Sequence, residues 1–90
     1  MERDVIEFRI NAIIFEATRL REETLFPERL LAERLEQREI DSLDLTETLF
    51  AVAETFGVEI PDGDIQSVFA VIPTIKALYD YVDKAVNPNS

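Results

Sequence analysis

Apolar residues recur at intervals of three and four positions in three separate stretches of this chain, and this spacing constrains the fold more than any other feature. An α-helix has about 3.6 residues per turn, so these intervals place the side chains on one face. Only two of the 90 residues are glycine, which destabilises helix interiors. The sequence therefore predicts an all-α protein.

Three longer helices are predicted. The first covers about residues 4–20. Its apolar face contains Val5, Ile6, Ile10, Ile13, Ile14 and Ala17, widened by Phe8 and Phe15. The second runs from Ser42 to Gly57, a residue that ends helices in a left-handed conformation. The third follows Thr74, a suitable N-cap. One side of it contains Ile75, Leu78, Tyr79 and Val82.

The segments between these helices are less regular. Residues 25–40 are predicted as a short helix or an ordered loop, with Pro27 suited to a first helical turn. One stripe of this segment contains Leu30, Leu31 and Leu35. A turn is expected at Pro61, Asp62 and Gly63, and a short helix before Pro73. The length predicts one domain over residues 1–86, followed by a flexible tail at 87–90.

The charge balance limits the classes of partner. Nineteen acidic and nine basic residues give a net charge of -10, which repels nucleic acids and anionic membranes. We therefore expect basic or neutral protein partners, and neither nucleic acid nor membrane. The N-terminal sequence lacks the apolar core of a secretory signal, and no apolar stretch approaches the roughly 20 residues of a membrane span. A cytoplasmic location is expected.

Composition also disfavours intrinsic catalysis. The chain has no cysteine and no histidine, which excludes disulfides, thiolate metal sites and an imidazole base. The "DGD" at 62–64 lacks the other oxygen ligands of a calcium-binding loop. No carboxylate pair forms a recognisable glycosidase or metal motif. We expect neither an enzyme nor a metal site.

The sequence "DSLD" at 41–44 opens the second helix. Either Asp41 or Ser42 can cap it, with Asp44 in the first turn, where negative charge is favourable. A nucleophilic Ser42 would lack its usual histidine partner. One interpretation is therefore an unmodified acidic adaptor that binds a basic protein through this helix, with Ser42 as a plain cap.

The order of "DSLD", "ETFGVEIPD" and "TIKALYDYV" resembles the acyl carrier protein family of phosphopantetheine-binding domains. The resemblance implies a small four-helix bundle with three longer helices, a short third helix and a long first loop. It implies that 4'-phosphopantetheine from coenzyme A is attached to Ser42, flanked by Asp41 and Leu43. The thiol of this arm carries acyl groups as thioesters.

The resemblance also assigns partners and a cargo surface. Asp44, Glu47 and Glu54 match the acidic helix that docks on basic patches of acyl synthases, ligases and transferases, and a phosphopantetheinyl transferase attaches the arm. Leu43 either joins this docking surface or packs into the core. The apolar stripe is either packed core or the lining of a small acyl cavity; it contains Leu49, Val52, Phe56, Ile60, Ile75 and Leu78. A free-standing monomeric carrier is expected.

Two residues depart from the family's pattern. Glu39 stands where glycine is common. Thr48 stands at an often aliphatic position, which predicts a helical turn that lies less deeply in the core. Residues 68–75, "VFAVIPTI", are similar to a motif of peptidyl carriers with one residue added. Fatty-acid, polyketide, lipopolysaccharide-lipid and aminoacyl pathways all stay open.

Overall fold

Five α-helices make up the described parts of the chain, residues 1–61 and 63–89 of a computed structural model. They are α1 (Arg3–Thr18), α2 (Leu31–Glu36), α3 (Ser42–Phe56), α4 (Ile65–Val71) and α5 (Ile75–Val86), with a short 3₁₀ helix at Glu22–Thr24. The all-α class is confirmed. The long first loop contains an additional short helix, α2. Asp62 of the expected turn and Ser90 of the expected tail lie outside the described residues.

Local sequence signals mark the end of α3 and the starts of α4 and α5. Gly57 follows α3 in the left-handed region, with φ of 65°. Asp64 caps α4 by accepting a hydrogen bond from the Ser67 amide at 3.0 Å. The Thr74 hydroxyl caps α5 by accepting one from the Ala77 amide, also at 3.0 Å.

Among the described residues, no helix is long and apolar enough to cross a membrane.

The core lies where α1 packs against α3 and α5. Its most deeply buried apolar side chains are Ile6, Ile10, Leu25, Val52, Ile72 and Val82. The prediction that Val5, Phe8 and Phe15 belong to the core face of α1 is wrong, since they are 38%, 73% and 39% exposed. Phe8 lies roughly 160° around the helix from both Ile6 and Ile10. α1 therefore has apolar residues on two opposite sides.

Backbone hydrogen bonds join the first connection to the start of α5. The Leu31 amide donates to the Pro73 carbonyl at 2.9 Å, and the Lys76 amide donates to the Pro27 carbonyl at 2.8 Å. Pro27 lies in a turn before α2, so its predicted place in a first helical turn is wrong. The predicted leucine stripe is divided, because Leu31 is buried whereas Leu30 is 48% exposed.

A buried arginine anchors the same connection. Arg34 is completely buried, and its Nη1 lies 3.2 Å from a Glu39 carboxylate oxygen. Glu39 also pairs with Arg29 at 2.6 Å. The hydrogen bond from Arg29 holds the pKa of Glu39 below its usual value, while burial lowers the pKa of Arg34. Glu39 thus links Arg29 to Arg34 of α2.

Polar contacts join α1 to α5. Arg3 pairs with Asp80 at 2.6 Å and with Asp83 at 3.0 Å, and the hydrogen bond from Arg3 lowers the pKa of Asp80. The Tyr79 hydroxyl donates a hydrogen bond to the Asn11 side chain. Burial raises the pKa of Tyr79 to about 12. These contacts hold α5 against α1, although the two helices lie at opposite ends of the sequence.

Candidate functional site

Asp41 caps α3. Its carboxylate accepts a hydrogen bond from the Asp44 amide at 2.7 Å, and the Asp44 carboxylate accepts one from the Asp41 amide at 3.4 Å. This reciprocal pair is a capping box, which satisfies amides that the first helical turn leaves unpaired. Of the two caps that the sequence allows, Asp41 is therefore the one used.

Ser42 is the first residue of α3 and is exposed to solvent. Its carbonyl accepts a hydrogen bond from the Thr46 hydroxyl at 2.8 Å. Its own hydroxyl has no hydrogen-bond partner within residues 1–61 and 63–89. Because Asp41 performs the capping, the Ser42 oxygen is free to form a covalent bond without loss of a structural contact.

The surroundings of Ser42 fit a phosphodiester-linked arm. A surface groove of about 530 Å³ runs beside it; its other lining residues are Leu35, Arg38, Glu39, Ile40, Asp41 and Asp44. Arg38 is exposed, and it is a basic residue that lines the same groove as Asp41 and Asp44. The start of a helix, with its unpaired amides and positive dipole end, also tolerates a phosphate. Sequence reasoning missed Arg38, although its place four residues before Ser42 was a usable signal.

An exposed stripe runs along α3 opposite its buried face. Leu43 is 63% exposed and Phe50 is 66% exposed. Glu47, which lies between them, and Glu54, which follows Phe50, are also exposed. We call these four residues the α3 stripe. Their spacing of four, three and four residues places them on one side of the helix. Leu43 does not pack into the core, and Phe50 was missed although its spacing from Leu43 predicts a shared face.

Asp44 lies apart from the α3 stripe. It is half-buried, and its carboxylate belongs to the capping box with Asp41. Position 44 is also about 100° around the helix from position 43. Among the predicted docking acids, the structure therefore groups Glu47 with Glu54 and places Asp44 at the helix start.

The predicted cavity residues separate into three groups. Leu49, Ile75 and Leu78 line a narrow gap among the core side chains, of only about 20 Å³. Leu49 and Ile60 also line a wider groove of about 440 Å³ beside α3, together with Phe50, Ile65 and Val68. Val52 is completely buried, and Phe56 packs half-buried against the core. The narrow gap holds about one water molecule at most.

The prediction that Thr48 makes its turn less deeply buried is wrong. Thr48 is 3% exposed, as deep as the leucines beside it. Its hydroxyl donates to the Asp44 carbonyl at 2.8 Å, which satisfies the polar group inside the core. A buried threonine is therefore compatible with the aliphatic environment of this helix turn.

Comparisons with known proteins agree with this geometry. Residues 27–82 match the family model described as "Phosphopantetheine attachment site". Acyl carrier proteins from two strains of Nitratidesulfovibrio vulgaris, DP4 and Hildenborough, are each 39% identical to this chain over 77 residues. These alignments cover 86% of this chain and 92% of each relative. The chain belongs to the acyl carrier protein family: it is a carrier with a covalently attached 4'-phosphopantetheine group, and not an enzyme.

Proposed function

We propose that the chain carries acyl intermediates as thioesters on a 4'-phosphopantetheine arm attached to Ser42, and delivers them to partner enzymes. The observation that carries this proposal is the exposed Ser42 hydroxyl, which has no hydrogen-bond partner among the described residues and opens α3. In the attachment step, the Ser42 oxygen bonds to the phosphorus of coenzyme A that bears the pantetheine. Adenosine 3',5'-bisphosphate leaves, and a base of the transferase accepts the hydroxyl proton.

The capping arrangement supports Ser42 as the attachment point. Asp41 and Asp44 complete the capping box without the Ser42 hydroxyl, so esterification leaves the helix start intact. The phosphodiester adds negative charge beside these two aspartates. Arg38, which lines the same groove, offsets part of this charge.

Mass spectrometry of the modified protein tests this assignment. The chain is incubated with coenzyme A and a broad-specificity phosphopantetheinyl transferase, and its peptides are then analysed. The wild type should gain one arm on the peptide containing Ser42, and Ser42→Ala should gain none. Ser67→Ala is the matched control, since Ser67 is also exposed in the first turn of a helix capped by aspartate. Modification of Ser42→Ala would mean that the arm is attached to another residue, and contradicts the assignment of Ser42. An unmodified wild type beside a reactive control carrier contradicts the proposal and favours the adaptor.

The α3 stripe is proposed to dock partner enzymes. Leu43 and Phe50 provide exposed apolar contacts, and Glu47 and Glu54 provide charges complementary to basic patches. Acidic side chains at such a surface raise the rate of encounter and set the register of binding. The apolar pair supplies the surface that is desolvated in the complex. Phosphopantetheinyl transferase and acyl synthases, ligases or transferases are the proposed partners.

Charge reversal tests the docking surface. Replacing both Glu47 and Glu54 by lysine should slow modification by the transferase on the order of tenfold at low salt, and should reduce the dependence on ionic strength. Glu23→Lys with Glu36→Lys is the matched control, because both residues are exposed outside α3. Asp44 is left unchanged, since its replacement also removes the capping box. Equal rates for the two double variants contradict docking through α3.

The wider groove beside α3 is the proposed shelter for the acyl chain. The narrow gap near Leu78 is too small for even a short acyl group, whereas the groove beside Ile60 and Ile65 has about 440 Å³. Methyl resonances of the protein loaded with a medium-length acyl chain test this placement. Ile60 and Ile65 should shift more than Ile14, which lines the narrow gap. Larger shifts at Ile14 contradict the groove and indicate that the core opens.

A further inference from the structure

The exposed side of α1 carries a second apolar pattern that the carrier function does not use. Val5, Phe8, Ala12 and Phe15 follow one another at intervals of three, four and three residues, and all are exposed. We call these four residues the α1 seam. Intervals that alternate between three and four are typical of the contact positions in paired helices. At about 100° per residue, the α1 seam lies on the side opposite the core residues of α1.

Two charged residues border the α1 seam on the same flank. Arg9 and Glu16 are exposed, and neither forms an ion pair within the described part of the chain. They are seven residues apart, or about 10 Å along the helix axis, which is too far for a direct pair within one helix. Each therefore has a charge available for a partner.

We propose that the α1 seam binds the α1 seam of a second copy of this chain, with the two helices antiparallel. A two-fold axis near Ala12 places Phe8 of one copy beside Phe15 of the other. The same axis places Arg9 beside Glu16, so the pair forms twice. The small side chain of Ala12 lets the helices approach closely at the centre. The surface is thus self-complementary in shape, aromatic contact and charge.

Charge favours a second copy at this surface over other faces of the molecule. The chain has a net charge of -10, which opposes self-association. Around the α1 seam, however, the acidic residues are nearly balanced by basic ones, which leaves a local charge of only -1: the acidic residues are Asp4, Glu16, Glu22 and Glu23, and the basic ones are Arg9, Arg19 and Arg21. The α3 stripe carries only acidic charges, so two copies repel each other there. Since α1 packs on α3 with its opposite side, pairing through α1 leaves the surface around Ser42 accessible.

A parallel arrangement satisfies the charges less well. It places Arg9 near Asp4 instead of Glu16, and leaves Glu16 near the neutral Asn11. The antiparallel arrangement pairs Arg9 with Glu16. Exchanging these two charges and measuring dimerisation tests for this pairing.

The contact is short, so the dimer is weak. The 16 residues of α1 span about 24 Å, and one helix of this length buries well below the roughly 800 Å² per partner of a standard interface. Sedimentation equilibrium from about 10 µM to about 1 mM covers the expected range of dissociation constants. The average mass should rise from 10.3 kDa toward twice that value.

Variants of the two charged residues test the geometry. Arg9→Glu and Glu16→Arg each place like charges together twice, and should weaken dimerisation by on the order of tenfold. The double exchange, Arg9→Glu with Glu16→Arg, should restore it. Lys84→Glu is the matched control for Arg9→Glu, because it makes the same change of charge on an exposed part of α5. Phe8→Ala should weaken the dimer, whereas Phe50→Ala on α3 should not.

Three results overturn the inference. They are a constant monomer mass up to the highest concentration, a double exchange that stays as weak as the single variants, and an equal loss with Phe50→Ala. The monomer expected from the sequence is the first of these results. The measurement does not require the prosthetic group, and Ser42→Ala should dimerise like the wild type. If the chain does not dimerise, the proposed carrier function is unaffected. If Ser42 is not modified, the proposed dimer is unaffected.

Discussion

The start of α3 and the connection that precedes it are neighbours in the chain, but they are stabilised in different ways. At the start of α3, hydrogen bonds join residues three or four positions apart, such as Asp41 with Asp44. In the connection, the Leu31 amide bonds to the carbonyl of Pro73, far away in the sequence. Arg34 is buried there against residues from several parts of the chain.

This difference distinguishes the start of α3, which exposes Ser42, from the connection that supports it. The first turn of α3, which exposes Ser42, is closed by local hydrogen bonds, whereas the rest of α3 packs against α1. The connection depends on distant contacts, which form only when the whole domain is folded. We therefore expect substitutions in the connection to affect global stability, and substitutions at the start of α3 to have smaller, local effects.

Truncation of Arg34 should have the largest effect. Arg34→Ala removes a completely buried side chain and leaves a cavity, which should lower the free energy of unfolding by about 2–4 kcal/mol. Arg34→Met retains most of the volume and should cost less than about 1 kcal/mol, because the remaining partner, Glu39, is exposed and keeps its pairing with Arg29. Urea unfolding monitored by circular dichroism measures both. Equal losses of stability in Arg34→Ala and Arg34→Met would show that the ion pair with Glu39 contributes more than the volume of the Arg34 side chain.

The cap of α3 should have an intermediate effect. Asp41→Ala removes the acceptor for the Asp44 amide and should cost about 1 kcal/mol. Ser42→Ala should cost less, because the Ser42 hydroxyl accepts none of the capping hydrogen bonds. The same urea experiment compares the two variants. A larger cost for Ser42→Ala would assign the cap to Ser42 and contradict the observed capping box.

Acid should weaken the connection through Glu39. The hydrogen bond from Arg29 lowers the pKa of Glu39, so the contribution is present when the pH is above the usual carboxyl pKa. It is lost as the pH falls through the lowered pKa of the folded state. The difference in melting temperature between wild type and Glu39→Gln should therefore be largest near neutral pH and disappear in acid. A difference that is independent of pH would contradict this role.

Replacement of a buried hydroxyl in α3 should have the smallest effect. Thr48→Val keeps the shape of the side chain and removes only a bond to the Asp44 carbonyl, four residues earlier. The change in unfolding free energy should stay within about 0.5 kcal/mol. Thermal unfolding of the two proteins in parallel measures it. A loss as large as that of Arg34→Ala would remove the distinction between local and distant contacts.

Spacing and capping signals predicted the parts of the fold that depend on neighbouring residues. The start of α3 at Ser42, its end at Gly57 and the cap at Thr74 are all confirmed. The exposure of Phe8 was not predicted, because an apolar helix pattern does not show which of two apolar faces meets the core. Phe50 was also missed, although its spacing from Leu43 predicts a shared face; its exposure is observed in the structure.

The sequence by itself determined the all-α class and the helix that exposes Ser42, since these depend on contacts within one or two helical turns. It also determined the net acidity and the resemblance to carriers, since these depend only on which residues are present and in what order. Only the tertiary structure decided the burial of Arg34, the pairing of Glu39 with Arg29 and the two apolar faces of α1. These features depend on residues brought together from distant positions. Local periodicity does not encode which distant segments meet, so packing of the whole chain decides them.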